Sequence, residues 1–240
     1  MLTIAARELR AYFGSPIALV LLIVFPAAAG ALPIFVDDFF AREQADLGGF
    51  FRFHPWLYLI FVPAMAMRMW SEEKRDGTFE LLMTLPISTT ASVLGKFLAA
   101  WIFALLALLL TTPMWATVNY LGEPDNFVIA VGYVGSWLVA GAFLSVSAAA
   151  STLSDNQVVA FFLAIASCFL FIACGLSPVL SATQNWGSPL LAEIVSGFSM
   201  EHQFTQFSQG LMTLPGLILI ATLIVGGLSI NVWLVEMQRT

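Results

Sequence analysis

RMWSEEKRDGTFELLMTLP, residues 68–86, lies between two long apolar runs and holds three of the chain's nine Lys/Arg and four of its fifteen carboxylates. So dense a mixture of charge does not sit in hydrocarbon, so the stretch is expected as a loop on one face of a membrane. Its second half also reads as a helix. Asp76 or Thr78 is placed as N-cap, Glu80 then falls in the first turn where a carboxylate suits the helix dipole, and Pro86 stops the helix. Over 76–86, Phe79, Leu82 and Leu85 recur every three residues as an apolar ridge, flanked by Glu72, Glu73, Arg75 and Glu80. A greasy helix held outside a membrane by charged shoulders suits docking of a soluble partner. An ordinary charged loop obeying the positive-inside rule remains the alternative.

The rest of the chain fits an all-α polytopic membrane protein, read as one transmembrane domain over 1–240. Of 240 residues, 60% are hydrophobic and 10% charged, where soluble domains carry about 25% charge. The net charge of −6 argues against nucleic acid, which requires a basic footprint. Six apolar spans are expected, at 16–36, 53–69, 94–120, 127–150, 157–180 and 213–235. The second is short, because only 15 residues separate Arg52 from Arg68. With the N-terminus inside, seven Lys/Arg face the cytoplasm (Arg7, Arg10, Arg68, Lys74, Arg75, Lys96, Arg239) against Arg42 and Arg52 outside. Both termini are then cytoplasmic in a multi-pass membrane protein.

Residues 1–15 form an amphipathic helix, with Leu2, Ala5, Ala6, Leu9, Tyr12 and Phe13 on one face and Thr3, Arg7 and Arg10 opposite. That pattern suits a helix lying in the interface; a cleaved signal peptide ending near Ala27–Ala29 is the other reading. Gly141, Ser145 and Ala149 make a small-residue row in the fourth span, with Gly135, Ser136 and Ala140 beside it. Asn156 and Gln157 read as caps of the turn between the fourth and fifth spans. The outer segment 181–212 has no Lys or Arg. Ser188 and Pro189 start a helix there whose apolar face includes Leu190, Leu191, Ile194, Val195 and Phe198. Lys96 lies about one turn inside the third span, where its stem snorkels or its ammonium meets a carboxylate of the 68–86 segment.

Catalytic patterns do not emerge. Gly95-Lys96 is followed by Phe97, and Thr90 stands where a phosphate-binding loop needs its first glycine, so the chain has no nucleotide site of its own. Neither H-E-x-x-H nor G-x-S-x-G occurs. Cys168 and Cys174 point to different faces of one helix, which favours packing over a disulfide or metal pair. His54 and His202, with Asp37, Asp38, Glu43 and Glu201, are expected on the outer face as solvated or capping residues, the alternative being an outer metal site.

The order Arg68, Glu72-Glu73-Lys74-Arg75, Gly77-Thr78-x-Glu80-Leu81-Leu82, Leu85-Pro86 and Gly95-Lys96-Phe97 resembles ABC type 2 transporter permeases. It is most similar to their gliding-motility branch and the related nitrous-oxide-reductase maturation permeases. ARELRAYFGSPIAL (6–19), LSDNQVVAF (153–161) and GFSMEHQFTQFSQGLMTLPGL (197–217) extend the resemblance over nearly the whole chain. The resemblance implies a permease subunit with no cofactor of its own, ATP and Mg being held by two copies of a separate ATP-binding subunit. It assigns the coupling interface to Glu72, Glu73, Arg75, Gly77, Thr78, Phe79, Glu80, Leu82, Leu85 and Pro86. Arg7, Glu8 and Arg10 belong to an elbow helix beside the ATPase, and Leu191, Ile194, Val195 and Phe198 to a re-entrant outer gate. It further implies a second permease half (another copy or a related chain), a gliding-motility-type accessory membrane protein, and export or extrusion. A membrane anchor of an ATPase-driven surface or motility complex, moving no solute, is the alternative; a polytopic enzyme is the third class.

Overall fold

The computed structural model describes residues 1–40, 45–84, 87–186 and 189–238. Among these, every regular element is helical: α1 (Leu2–Gly14), α2 (Pro16–Phe35), α3 (Gly48–Arg52), α4 (His54–Ala66), α5 (Arg68–Arg75), α6 (Thr78–Thr84) and α7 (Thr89–Leu109). They continue as α8 (Thr112–Leu121), α9 (Asn126–Ser151), α10 (Gln157–Ala173), α11 (Ser177–Trp186), α12 (Pro189–Gly197), α13 (Met200–Ser208) and α14 (Leu214–Met237). Local chemistry sets several of these ends. Asp125 accepts from Phe127 N at 2.9 Å to open α9, Asn156 accepts from Val158 N at 2.9 Å to open α10, and Ser88 accepts from Ala91 N at 3.3 Å to open α7. Gln157, expected as a cap, is instead the first residue of α10.

Among the described residues, four stretches have the length and apolarity to cross a membrane: Pro16–Phe35, Thr89–Leu121, Asn126–Ser151 and Leu214–Met237. The pair Gln157–Ala173 and Ser177–Thr183, bent by 62°, makes a fifth if taken as one crossing. These helices mark a multi-pass membrane protein. The expected second span, 53–69, does not join them: α4 has only 13 residues, short of the ~20 that a hydrocarbon core needs. The third span starts earlier than expected, at Thr89, and breaks at Leu110–Thr111 just ahead of Pro113, whose missing N–H and bulky ring leave the carbonyl four residues back without its helical partner.

The bundle is built around α9, which packs against α4, α7, α10, α13 and α14. Its small residues are the contact points. A Cβ on Gly132 would meet Phe51 at 2.5 Å, one on Gly135 would meet Phe207 at 2.7 Å, and one on Gly141 would meet Trp101 Nε1 at 2.7 Å. Ser145 donates to Leu223 O at 2.9 Å, and a Cβ on Gly227 of α14 would meet its Oγ at 2.7 Å. Close approach of this kind is what holds helices together where lipid is as apolar as their side chains. Trp101 and Trp137 close the α7–α9 seam: their rings stack at 4.2 Å, and each indole donates to the other's backbone carbonyl, at 3.0 and 3.2 Å.

The seam makes a contrast testable. Trp101 is pinned by its stack and hydrogen bond, so Gly141→Ala should lose about 1–3 kcal/mol by overpacking. Gly226 has open space around it, and Gly226→Ala should be neutral or stabilising by up to ~1 kcal/mol. Thermal unfolding of the two variants in detergent checks this; equal midpoints would mean that α7 and α9 do not meet as described.

Candidate coupling site

The segment 68–86 is more helical than expected. Residues 68–75 form α5 and not a loop, because Arg68 clamps Glu72 one turn on, with Nε to Oε2 at 2.8 Å and Nη2 to Oε1 at 2.5 Å. Asp76 ends α5; it does not cap α6. The turn is Asp76–Gly77, with Gly77 at φ +70, a left-handed conformation that only glycine adopts cheaply. Thr78 opens α6, its hydroxyl donating to Glu73 O at 3.3 Å. Leu85 and Pro86, with the expected helix stop, lie outside the described residues, as do the side chains of Leu82 and Leu191, all of Arg42, Glu43, Ser188 and Arg239, and the ridge as a whole.

Phe79 corrects the docking expectation. It is 8% exposed, sits edge-on to Trp70 at 6.0 Å between ring centres, and has the Lys74 ammonium 5.7 Å from its own. It is an internal anchor of the α5–α6 hairpin and not a surface knob for a partner. Trp70 is fully buried beneath it. Among the described side chains, those the hairpin turn presents outward are polar: Arg75, Asp76, Thr78 and Glu80 are exposed, with Gly77 between them.

Lys96 is the centre of the site. It is 3% exposed, so its ammonium does not snorkel. Nζ lies 2.7 Å from Glu73 Oε1 and 3.3 Å from Glu8 Oε2, and 5.2 Å from the Trp70 ring centre. One α7 cation thus ties α5 to α1. Glu8 also accepts from Arg7 at 2.7 Å. Burial would raise the Glu8 pKa, but Lys96 and then Arg7 outweigh it and hold the carboxyl below its ordinary 4.5.

The ion pair explains how α1 docks. Its inward face is Ile4, Ala5, Glu8, Leu9 and Tyr12, rotated from the expected one, and Leu2 and Phe13 stay largely exposed. Gly95 admits Ile4, and Tyr12 stacks on Phe103 at 5.1 Å. Arg7 and Arg10 point outward as expected, but α1 packs on α7 and does not merely lie in the interface.

A second lysine ties the hairpin to the far side of the bundle. Lys74 donates to Thr152 O at the end of α9 and lies 3.9 Å from Asp155; Gln238, just past α14, donates to the same carbonyl at 3.0 Å. Burial lowers the Lys74 pKa, and Asp155 offsets only part of that. Sequence reading passed over Lys74 and Glu8 as buried partners, because their roles depend on helices that meet only in the fold.

At the opposite end the outer segment departs from the gate reading. Ile194 and Phe198 are about half exposed and Val195 only partly buried, so this face of α12 does not pack into the bundle. The element that does is α13, capped by Ser199 on His202 N, with Met200, Phe204 and Phe207 fully or almost fully buried. His54 is not on the outer surface. It is enclosed by Phe25, Phe50, Phe51, Tyr58 and Phe204, with Nδ1 3.3 Å from Ser136 Oγ. Among the described residues no three of His, Cys, Asp and Glu come together as a metal set.

The CcmB protein family model matches residues 55–132, about a third of the chain, from α4 through the α5–α6 hairpin into α9. No curated protein matches the chain. The family match points to a membrane permease component of an ABC-type transporter.

Removing one partner of a buried pair leaves an uncompensated charge, so Lys96→Met should cost about 3–5 kcal/mol and Lys96→Met with Glu73→Gln distinctly less. Thermal unfolding of the single and double variants reads this. Because the folded Glu8 pKa is depressed, its stabilisation is complete above pH 4.5 and lost as pH falls below that value. Wild type should therefore lose its stability margin over Glu8→Gln on acidification from neutral pH. Gly77→Ala should cost about 1–2 kcal/mol through its backbone alone, since no atom lies within 4 Å of the new Cβ.

Proposed function

We propose that this chain is one permease half of a type 2 ABC transporter, coupling ATP hydrolysis on separate subunits to export or extrusion of a substrate. The chain itself hydrolyses nothing; ATP and Mg belong to two ATP-binding subunits, and a second permease half, another copy or a related chain, completes the conduit. In this reading it crosses the bacterial inner membrane six times, the short α4 with the start of α5 serving as the second crossing, and both termini are cytoplasmic. The gliding-motility branch, with its accessory membrane protein, is the finer assignment that the opening motifs favour.

One observation carries the reading: a polar, exposed hairpin turn is wired by one buried lysine and one partly buried lysine to α1, α7 and the end of α9. A load applied to Arg75–Glu80 would pass through Glu73 and Lys96 into α7, and through Lys74 and Thr152 into α9. Few loops need such fastening unless something pushes on them.

Docking is then carried by the polar rim, and Phe79 acts from inside. Charge reversal at a desolvated interface pair costs about 2–5 kcal/mol, well over tenfold in affinity. Arg75→Glu or Glu80→Arg should therefore strip vanadate-sensitive ATPase activity from the complex purified from native membranes, while Glu123→Arg, exposed at the other end of the bundle, should retain it. ATPase retained equally by all three variants, or absent from wild type, would end the coupling assignment.

A further inference from the structure

A half-open cavity of about 630 Å³ lies where α1, the start of α2, the end of α4 and the α5–α6 hairpin meet. Its two walls differ in chemistry. Ile17, Ala18 and Leu21 of α2 with Ala64 and Met65 of α4 form the apolar wall. The other wall carries charge, with Glu8, Glu72, Glu73 and Asp76 against Arg7, Arg68 and Lys96, four acids to three bases. The bases are mostly committed. Lys96 is taken by Glu73 and Glu8, and Arg68 by Glu72 and by Ser15 Oγ at 2.5 Å. Acceptor capacity remains on the open side, where Asp76 is exposed and Glu72 partly exposed, whereas Glu73 Oε2, without a hydrogen-bond partner among the described residues, is closed off from solvent. Arg7, at the mouth and 57% exposed, is the one base with donors to spare for a ligand.

We propose that this cavity binds the headgroup of a membrane phospholipid bearing a primary amine. The ammonium supplies N–H donors to the carboxylate wall, and the phosphate reaches Arg7. The cavity holds a headgroup and the first carbons of the tails, not a whole lipid. The chains leave along α2, whose Ile17, Val20, Ile23 and Val24 are exposed on the apolar surface that continues from the cavity. A wholly anionic headgroup meets net negative charge there, and a quaternary ammonium offers no N–H to the acceptors. The site shares Asp76 and Thr78 with the hairpin turn assigned to docking, but its occupancy can be read on this chain alone, with no ATPase present, and requires only that α2 face lipid.

Native mass spectrometry of the full chain in detergent, titrated with phosphatidylethanolamine, phosphatidylglycerol or phosphatidylcholine of matched acyl chains, tests it. Phosphatidylethanolamine should be retained at least about fivefold better than either competitor, a difference near 1 kcal/mol. Asp76→Asn, at an exposed carboxylate outside the Lys96 pair, should narrow that preference. Ala11→Trp, which fills the cavity from the exposed side of α1, should abolish the adduct. Ala64→Phe does the same from the opposite wall should the α1 variant unfold. Equal retention of all three lipids means annular lipid only and overturns the proposal. So do a preference for phosphatidylglycerol and an undiminished adduct in a folded cavity-filling variant.

Discussion

An ammonium group cannot be taken out of water without anionic company, and Lys96 is taken out almost completely. That constraint organises one end of the molecule. Two carboxylates must come to the cation from separate elements, so α1 is fixed in rotation by Glu8 and α5 by Glu73. Trp70 lies against the same ammonium, and Phe79 lies against Trp70. Trp70 and Phe79 are therefore consumed in building the hairpin's own seat, and the turn from Arg75 to Thr78 is left exposed and polar.

The other end follows a different logic, in which small residues replace charge. The α9 helix runs through the bundle presenting Gly132, Gly135, Gly141 and Ser145 to large partners: Phe51, Phe207, Trp101 and the backbone of α14. Large aromatics fill what the glycines vacate, so the seams are shape-specific without polar cost. Among the described residues a few buried polar groups have no hydrogen-bond partner, including His54 Nε2 and both amide atoms of Asn231. In a fold otherwise economical with polarity, these are expensive positions.

Much of this was legible in the sequence. The apolar runs gave α2, α9 and α14 to within a residue or two, and the small-residue row of α9 was visible from its spacing. Composition and motif order led to a permease, with which the partial family match agrees. Misreadings arose where neighbours decide. The 68–75 charges read as loop because their (i, i+4) pairing was weighed less than their total. Phe79 read as a docking knob because periodicity defines a face but not what covers it. Lys96 reads more readily as snorkelling in the sequence, because the two carboxylates that hold it lie 23 and 88 positions away. The apolar face of α12 read as a gate, whereas α13, with its more polar sequence, is what the bundle buries.

The Trp101–Trp137 clasp has an optical consequence. Two indoles stacked at 4.2 Å with planes 15° apart bring their transition dipoles close enough to couple, giving a paired circular-dichroism band that isolated tryptophans lack. Because each ring also holds the other's carbonyl, the band is tied to the register of α7 against α9. It would vanish if one helix slid along the other and survive if both turned as a unit. The protein thus carries, without any added label, a gauge that separates sliding of α7 against α9 from rotation of the two as a unit.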